Sequence, residues 1–349
     1  MRRPPAVARV LERVTKTARE HEMFREGDLV LVSVSGGPDS VCLLYSLWFL
    51  RRLFKIRIEV FHFDHRLRKD SARDAEYVRR LAERLKLPFH ARGADDVPRK
   101  GVSVEAWATV ARNNASVDVR NAIGAATVAE GHTLDDQAET VLLNLIRGGG
   151  LEAVSGIRPG GSKHGSSRLA QPLFEVDREE VEAFCRALNL RPRRDPTNRD
   201  TRLLRNAIRL KALPAIERAT GREIKRSIAR SAGLLGADRD ELHGAAVHAF
   251  LQVVDDPSSR NPSPGEEVRL DAEALRSLPK PIASRVVRLA VYNVMASDDV
   301  APWTREAVEA VLDLAEGRVG RRRDLPNGST ARREREYVSV SRTSPESRV

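Results

Sequence analysis

The chain reads Leu29-Val30-Leu31-Val32-Ser33-Val34 and continues directly with Ser35-Gly36-Gly37-Pro38-Asp39-Ser40. The first six residues are apolar and rich in β-branched side chains, which predicts a buried strand. The apolar run 41–50 that follows is too short to span a bilayer and predicts a core helix. Two glycines between a strand and a helix allow a tight turn and a close approach of the backbone to a ligand. The free N–H groups at the start of the helix favour an anion, and phosphate is the anion that we expect.

This loop differs from two common nucleotide-binding loops. No lysine follows the glycines, so the GxxxxGK[ST] phosphate loop is excluded. The spacing is not GxGxxG either, which disfavours a dinucleotide site. For the hexapeptide alone, a glycine-rich turn with a serine N-cap and no ligand stays as the alternative.

The first half of the chain alternates strands and helices around this loop. The predicted elements are a helix at 6–21, strands at 29–34 and 56–63, a helix at 71–85, a short strand near 89, a helix at 103–123 and a strand at 126–129. Strands separated by helices of this length predict an α/β fold with a parallel sheet and helices on both faces. Ligands of such sheets bind beyond the carboxyl ends of the strands. That rule places residues 35–40, 63–68 and 131–136 around one crevice.

The segment 131–150 is chemically the richest of the three. It begins Gly131-His132-Thr133-Leu134-Asp135-Asp136, so two carboxylates fall in the first turn of a predicted helix. Acids in a first turn suit the helix dipole, and that is the structural alternative for this pair. Beside a phosphate site, the same oxygens are suited to Mg²⁺ or to a cationic amine.

Arginines accompany the two other clusters. Segment 62–68 combines two histidines, one acid and two arginines after a strand, and the arginines fit phosphate better than a metal. Further on, Arg202, Arg205 and Arg209 recur at helical spacing after a proline-flanked loop. This second group is interpreted either as a solvated basic face or as a binding site for the phosphate backbone of an RNA.

Composition narrows the class of protein. The chain has 349 residues, 60 Lys and Arg against 49 Asp and Glu, and a formal net charge of +11. This length predicts two domains, and the charge suggests a polyanionic partner such as nucleic acid. The two cysteines, Cys42 and Cys185, are far apart in apolar helical contexts, which predicts buried free thiols in a reducing compartment. The N-terminus lacks an apolar signal region, so a cytoplasmic protein without a membrane segment is expected.

Taken together, the motifs resemble those of the tRNA(Ile)-lysidine synthetases, a family of PP-loop N-type ATP pyrophosphatases. The matching segments are SGGPDS (35–40), HFDHRLRKDSARDAE (62–76), GHTLDDQAETVLLNLIRGGG (131–150), RPRRDPTNRD (191–200) and RNAIR (205–209). The resemblance covers roughly residues 28–215. It implies a Rossmann-like PP-loop ATPase that joins free L-lysine to C2 of the wobble cytidine 34 in the tRNA(Ile) with a CAU anticodon. The reaction passes through an adenylated cytidine and yields lysidine, AMP and pyrophosphate.

The resemblance also assigns expected roles to individual residues. ATP, as cosubstrate, and Mg²⁺ are the expected cofactors, and a homodimer is expected. The catalytic candidates are Asp39, His132, Asp135 and Asp136, of which Asp39 and Asp136 are the candidate metal ligands. The ATP-binding candidates are Ser35, Gly36, Gly37, Pro38, Asp39, Ser40, Phe63, Asp64 and Arg112. The candidates for binding tRNA or substrate are His65, Arg68, Arg147, Arg194, Asn198, Arg205, Asn206 and Arg209. The family pattern AR-x-x-RY is incomplete here, because residues 113–116 read Asn-Asn-Ala-Ser after Arg112.

The remainder of the chain predicts a smaller, mainly helical domain. Helices are expected at 222–253, 281–295 and 304–316, and a β-hairpin at 321–342. The expected division is a catalytic domain at 1–220, a tRNA- and substrate-recognition domain at 221–342, and a disordered tail at 343–349. Basic positions such as Arg222, Lys225, Arg226 and Arg230 are candidates to face RNA.

Two alternatives to the ligase remain open. A tRNA thiolase with the same PP-loop is the first, although sulfur transfer calls for cysteines that Cys42 and Cys185 do not supply as a pair. A non-catalytic RNA-binding protein is the second, and it would leave the loop and the Asp-Asp segment without a role.

Overall fold

The computed structural model describes residues 3–67, 71–98, 104–160, 168–193, 196–255, 267–295 and 304–342. The chain forms two compact units, residues 1–236 and 237–349. The division between them falls inside one long helix rather than in a loop.

The first unit contains five strands and most of the helices. In chain order its elements are α1 (Pro5–Glu20), β1 (Leu29–Ser33), α2 (Pro38–Leu50), β2 (Arg57–Asp64), α3 (Ser71–Leu85), β3 (Phe89–Gly93), α4 (Val104–Ile123), β4 (Thr127–Ala129), α5 (Leu134–Ile146), α6 (Leu151–Val154), β5 (Arg168–Ala170), α7 (Arg178–Ala187), α8 (Leu204–Ala207), α9 (Leu213–Thr220) and α10 (Ile224–Val253), the last of which continues into the second unit. A 3-10 turn (Pro196–Arg199) precedes α8, and a π-helical turn (Ile208–Ala212) joins α8 to α9.

The five strands form one parallel sheet in the order β3-β2-β1-β4-β5. Strand β1 is central, with Val32 paired to Val60 of β2 and to Ala129 of β4. The carboxyl ends of β1, β2 and β4 therefore meet at one edge, where the three predicted segments begin.

The core lies on both faces of this sheet. Val30 and Val32 of β1 pack into a cluster with α1, α2, α3 and α7, whereas Leu29 and Leu31 pack with α4. Successive strand residues point to opposite faces, and β1 is apolar from Leu29 to Val32 because both of its faces are covered. The predicted α/β fold with helices on both faces is confirmed.

The second unit packs helices on a small antiparallel sheet. Besides the end of α10, its elements are β6 (Val268–Asp271), α11 (Ala272–Ser277), α12 (Lys280–Met295), α13 (Arg305–Glu316), β7 (Arg322–Leu325), β8 (Ser329–Arg333) and β9 (Tyr337–Arg342). The strand order is β6-β9-β8-β7. The apolar face of the sheet, which includes Ala331, Val338 and Val340, is buried with α12 and α13.

The predicted helices of both units are confirmed to within about two residues. The terminal hairpin is confirmed as β8 and β9, and the sheet also contains β6 and β7. Strands β5 and β6 escaped the sequence analysis because three or four residues carry too little alternation to be recognised. The predicted tail at 343–349 lies outside the described residues. Across the described part of the chain, none of the helices combines the length and hydrophobicity that a bilayer crossing needs.

Candidate active site

The serines of the loop between β1 and α2 accept hydrogen bonds from the backbone of the same loop. The Gly36 N–H donates to Ser40 Oγ (3.2 Å) and the Gly37 N–H donates to Ser35 Oγ (3.3 Å). Gly36 has φ +92°, a conformation that a residue with a side chain rarely adopts. The Gly36 carbonyl in turn accepts from the backbone N–H of Arg193 (2.9 Å). This hydrogen bond connects the turn at Gly36, directly before the N-terminus of α2, to a residue that is distant in sequence.

The segment after β4 passes very close to this loop. A Cβ built on Gly131 would lie 3.2 Å from the backbone C and O of Asp39 and 3.3 Å from the backbone N of Ser40. These are backbone atoms, so a side chain at this position would have to displace them by a few tenths of an ångström. Gly131 is therefore the residue that brings the Asp-Asp segment beside Asp39.

Asp39 is the most perturbed carboxylate of this region. Its Oδ1 is buried and accepts no hydrogen bond. Burial and the nearby Asp136 raise the pKa of Asp39 to about 7, against the opposing effect of Arg178 and Arg209. A neighbouring carboxylate disfavours the charged form of a buried carboxyl group.

Asp136 caps α5 and faces the same site. Its Oδ2 accepts from the Thr133 N–H (2.9 Å) and from the Thr133 hydroxyl (2.8 Å), and its backbone N–H donates to Thr133 Oγ1 (3.4 Å). This is a capping box with aspartate in the third position. Burial works to raise the pKa of Asp136, but His132, Arg205 and the Thr133 hydrogen bonds lower it below its usual value. Asp136 is thus the charged member of the pair with Asp39.

Asp135 points away from Asp136 into a different set of contacts. Its Oδ2 accepts from the backbone N–H of Arg178 (2.8 Å), at the start of α7, and its Oδ1 accepts from Lys225 Nζ (2.8 Å). Its side chain is only 5% exposed. Both oxygens therefore hold α5, α7 and the start of α10 together.

Glu139 is a candidate site residue that the sequence analysis missed. It lies one turn after Asp136 on α5, is buried, and has an Oε1 that accepts no hydrogen bond. Arg205 Nε donates to its Oε2 (3.2 Å) while Arg205 Nη2 lies 3.3 Å from Asp136 Oδ1. Arg178 and Arg209 lie 3.8 and 4.0 Å from its Oε1. Burial and Asp136 raise the pKa of Glu139. The i, i+3 spacing from Asp136 was the available indication.

The end of β2 supplies a structured turn. Asp64 Oδ1 accepts from the Arg66 N–H (2.8 Å) and Asp64 Oδ2 accepts from the Ser71 hydroxyl (3.2 Å). The rings of Phe63 and His65 meet edge to face at 4.8 Å between centroids. His65 Nδ1 is buried without a partner, and burial together with Arg112 lowers the pKa of His65.

A second missed residue, Glu130, joins the remaining predicted groups. Its carboxylate lies 3.4 Å from Arg112 Nη2 and 3.6 Å from His132 Nδ1, and it accepts from Gln171 Nε2 (3.3 Å). Arg112 Nε and His132 Nδ1 are nonetheless buried without a hydrogen-bond partner. Glu130 directly follows β4 as a single acid after an apolar strand, so no spacing marked it.

Five buried polar atoms at this edge of the sheet share one property: within the described part of the chain none has a hydrogen-bond partner. They are Asp39 Oδ1, His65 Nδ1, Arg112 Nε, His132 Nδ1 and Glu139 Oε1. Buried polar groups are normally paired, because leaving one unpaired costs about 1–3 kcal/mol. Such a concentration at the carboxyl ends of β1, β2 and β4 is typical of a site that takes a polar ligand.

Comparison with known proteins agrees with this geometry. A family model described as a PP-loop domain matches residues 7–216. The tRNA(Ile)-lysidine synthase of Thermobifida fusca is 34% identical over 340 residues, which cover 92% of this chain and 96% of that protein. The chain belongs to the tRNA(Ile)-lysidine synthase family.

Other members of this family are longer. The synthases of Caldanaerobacter subterraneus subsp. tengcongensis and Symbiobacterium thermophilum are 32% and 36% identical, and each match covers 91% of this chain. The chain spans about two thirds of the length of these two relatives, 66% in each case.

Among solved structures, the U34-tRNA thiolase NcsA from Methanococcus maripaludis with its [4Fe-4S] cluster has a TM-score of 0.57. The match covers 66% of this chain and 79% of that chain at 18% identity. A likeness at this level of identity concerns the fold alone. It places this lysidine synthase family member among PP-loop folds.

The tRNA-binding residues predicted from the family motifs differ in their surroundings. Arg147 is exposed at the end of α5. The amide of Asn206 donates to the carbonyls of Thr197 (2.9 Å) and Asp200 (3.0 Å), so this side chain fastens the preceding turn. Arg205 and Arg209 face Glu139, as described above. Arg68 and Arg194 lie outside the described residues, as does the side chain of Asn198. A contact of any of these residues with RNA stays a prediction.

Proposed function

We propose that this chain is a ligase that joins free L-lysine to C2 of the wobble cytidine of a tRNA(Ile) with a CAU anticodon, at the expense of ATP. The observation that carries the proposal is the buried, unpartnered Oδ1 of Asp39 beside Asp136, at the mouth of the glycine loop. The names of the full-length relatives add the substrate class, tRNA(Ile), and the product, lysidine.

The first step is activation of the base. The cytidine O2 bonds to the α-phosphorus of ATP, the bond from that phosphorus to the bridging oxygen breaks, and pyrophosphate leaves. In this proposal the N–H groups at the start of α2 and the loop hydroxyls receive the pyrophosphate portion. This makes O2 part of a good leaving group, which a carbonyl oxygen is not.

The carboxylates fit a divalent cation at this point. The nearby Asp136 contributes to the raised pKa of Asp39, and one oxygen of Asp39 lacks a donor. The described residues include no cluster of three or more potential ligands, so phosphate oxygens and water would complete the shell. Mg²⁺ held by Asp39 and Asp136 would offset the charge of the phosphates.

The second step is attack by lysine. The amine nitrogen bonds to C2 while the C2–O2 bond breaks, and AMP leaves with O2. A free lysine amine has a pKa near 10.4, so it must lose a proton in the site before it attacks. Asp136 and Glu139 are the carboxylates suited to bind the ammonium group, and the raised pKa of Glu139 makes it the better candidate to accept that proton. Arg205, which bridges the two carboxylates, would shift towards a phosphate of the tRNA or of AMP.

The test measures pyrophosphate release from ATP with a tRNA(Ile) CAU transcript and each amino acid in turn, followed by nucleoside mass analysis. Lysine-dependent release and a cytidine heavier by lysine less water are expected. Asp39→Asn should abolish both, whereas Asp118→Asn, an exposed carboxylate on α4, should change neither. If the protein binds the tRNA but the RNA is unchanged and no pyrophosphate is released, the ligase is refuted and a non-catalytic RNA-binding protein is supported.

The same assay separates the ligase from a thiolase. Both cysteines are buried free thiols, and burial raises the pKa of Cys42 and raises the pKa of Cys185 to about 12. Thiols held neutral in this way are poor nucleophiles and poor metal ligands. The assay is therefore repeated with a sulfur donor, and a gain of sulfur in the recovered tRNA would refute the ligase.

A further inference from the structure

The positive charge of the chain is divided unevenly. Residues 1–236 carry 43 Lys and Arg against 30 Asp and Glu, whereas residues 237–349 carry 17 against 19. Within the second unit, residues 318–342 hold 8 arginines and 3 acids, and the rest of that unit holds 9 basic and 16 acidic residues. A general preference for arginine does not account for this local concentration, because the neighbouring segments of the same unit are acidic.

The strand register places two of these arginines on the same face of the sheet. Arg322 of β7 stands directly opposite Arg332 of β8, and both side chains are exposed. Across β8, Arg332 is opposite Ser339 of β9, which is in turn opposite Arg269 of β6. Residues directly opposite each other project from the same face, and like charges in this arrangement destabilise the pair.

Only part of this charge is compensated. Arg322 pairs with Asp324 (3.0 Å), two residues along the same strand. No hydrogen bond or ion pair of the Arg332 side chain exists with any described residue. Four further arginines of the same segment are exposed around the sheet: Arg318, Arg321, Arg323 and Arg335.

Protection of the sheet edge does not explain the pair. Charged side chains on an edge strand prevent pairing with another chain, and β7 is an edge strand. Arg332, however, lies on β8, an inner strand with neighbours on both sides. Its guanidinium adds repulsion without protecting an edge.

We propose that the outer face of this sheet, centred on Arg322 and Arg332, binds the phosphate backbone of the RNA substrate. Phosphate oxygens accept bidentate hydrogen bonds from guanidinium and would remove the repulsion between the two arginines. The inference rests on the proposed function and assigns the RNA contact of the second unit to the sheet. Two of the basic residues that the sequence favoured, at the start of α10, are engaged within the first unit, because Lys225 binds Asp135 and Arg226 binds Asp177.

The test compares the affinity of variants for the tRNA(Ile) CAU transcript by fluorescence anisotropy at several salt concentrations between about 50 and 200 mM. The variants are Arg332→Glu and the double variant Arg322→Glu/Arg332→Glu. Arg288→Glu, an exposed arginine of α12 with the same charge change, is the matched control.

The double variant should bind at least about tenfold more weakly than the control, and its slope of log K against log salt should be shallower by about 2, one for each lost phosphate contact. Arg332→Glu alone should also melt at or above the wild-type temperature, because it replaces a repulsive cross-strand pair with an attractive one. A role confined to folding would lower the melting temperature instead.

Binding of the double variant equal to that of Arg288→Glu would overturn the inference. If the double variant does not fold, Arg322→Gln/Arg332→Gln is measured instead, and an unchanged salt slope overturns it equally. Lysidine formation by the wild-type chain is scored separately. Absence of lysidine formation would refute the proposed function. The affinities of the variants for the tRNA would still show whether the outer face of the sheet binds RNA.

Discussion

Substitutions of the neighbouring carboxylates Asp135 and Asp136 should have different effects. A change at Asp135 should lower stability, and a change at Asp136 should lower turnover. Asp135 is 5% exposed and accepts two hydrogen bonds of 2.8 Å, one from Lys225 Nζ and one from the Arg178 N–H. Asparagine keeps one acceptor oxygen and loses the ionic partner of Lys225. A hydrogen bond to a charged group contributes about 1.5–3 kcal/mol, and Lys225 is about a third exposed, so we expect a loss of about 2 kcal/mol.

That loss converts to a measurable change in melting temperature. For a unit of 236 residues, 1 kcal/mol corresponds to about 2–4 °C, so Asp135→Asn should melt about 4–8 °C below the wild type. Well below that temperature it should release pyrophosphate at nearly the wild-type rate, because both oxygens of Asp135 are engaged by Arg178 and Lys225.

Asp136→Asn should behave in the opposite way. The asparagine oxygen can still cap α5 through Thr133, so the melting temperature should change by less than that of Asp135→Asn. Turnover should fall about 10²-fold or more, because the charge beside Asp39 is lost. Calorimetry and the pyrophosphate assay are run on both variants, with Asp118→Asn as the control. Equal losses of turnover with an unchanged melting temperature for Asp135→Asn would refute this assignment.

Four further variants test the site and helix α10. Gly131→Ala should lower turnover about tenfold or more with the fold retained, because its Cβ would displace the backbone of Asp39 by a few tenths of an ångström; unchanged pyrophosphate release would contradict the close approach. Glu139→Gln should lower kcat/KM for lysine about 10–100-fold and leave the KM for ATP near its wild-type value. The two constants are measured by titrating lysine and ATP in turn. A change in the KM for ATP alone would indicate that Glu139 contacts the nucleotide. Gly233→Ala and Gly244→Ala, exposed positions of α10 with open space around a Cβ, should each raise the free energy of unfolding in urea by about 0.5–1 kcal/mol, and destabilisation would show that α10 is packed differently.

The sequence analysis predicted the candidate site from local patterns. The strand–loop–helix at 29–50 and the helix that begins at Leu134 are each determined within about twenty residues, and the parallel sheet then brings their ends together. Glu130, Glu139 and Lys225 were missed because their partners are distant in sequence. Lys225 was instead taken as a candidate for RNA, since an exposed and a paired lysine look alike in a helical pattern.

The sequence by itself determined the α/β class, the glycine loop and the helices, because backbone geometry and hydrophobic periodicity act over short distances. Only the tertiary structure distinguished the surroundings of Asp135 from those of Asp136. Consecutive helix residues project about 100° apart, so one carboxylate meets Lys225 and Arg178 while the other meets Arg205 and Asp39. The same holds for Arg322 and Arg332, because strand register, which depends on contacts across the sheet, places their charges face to face.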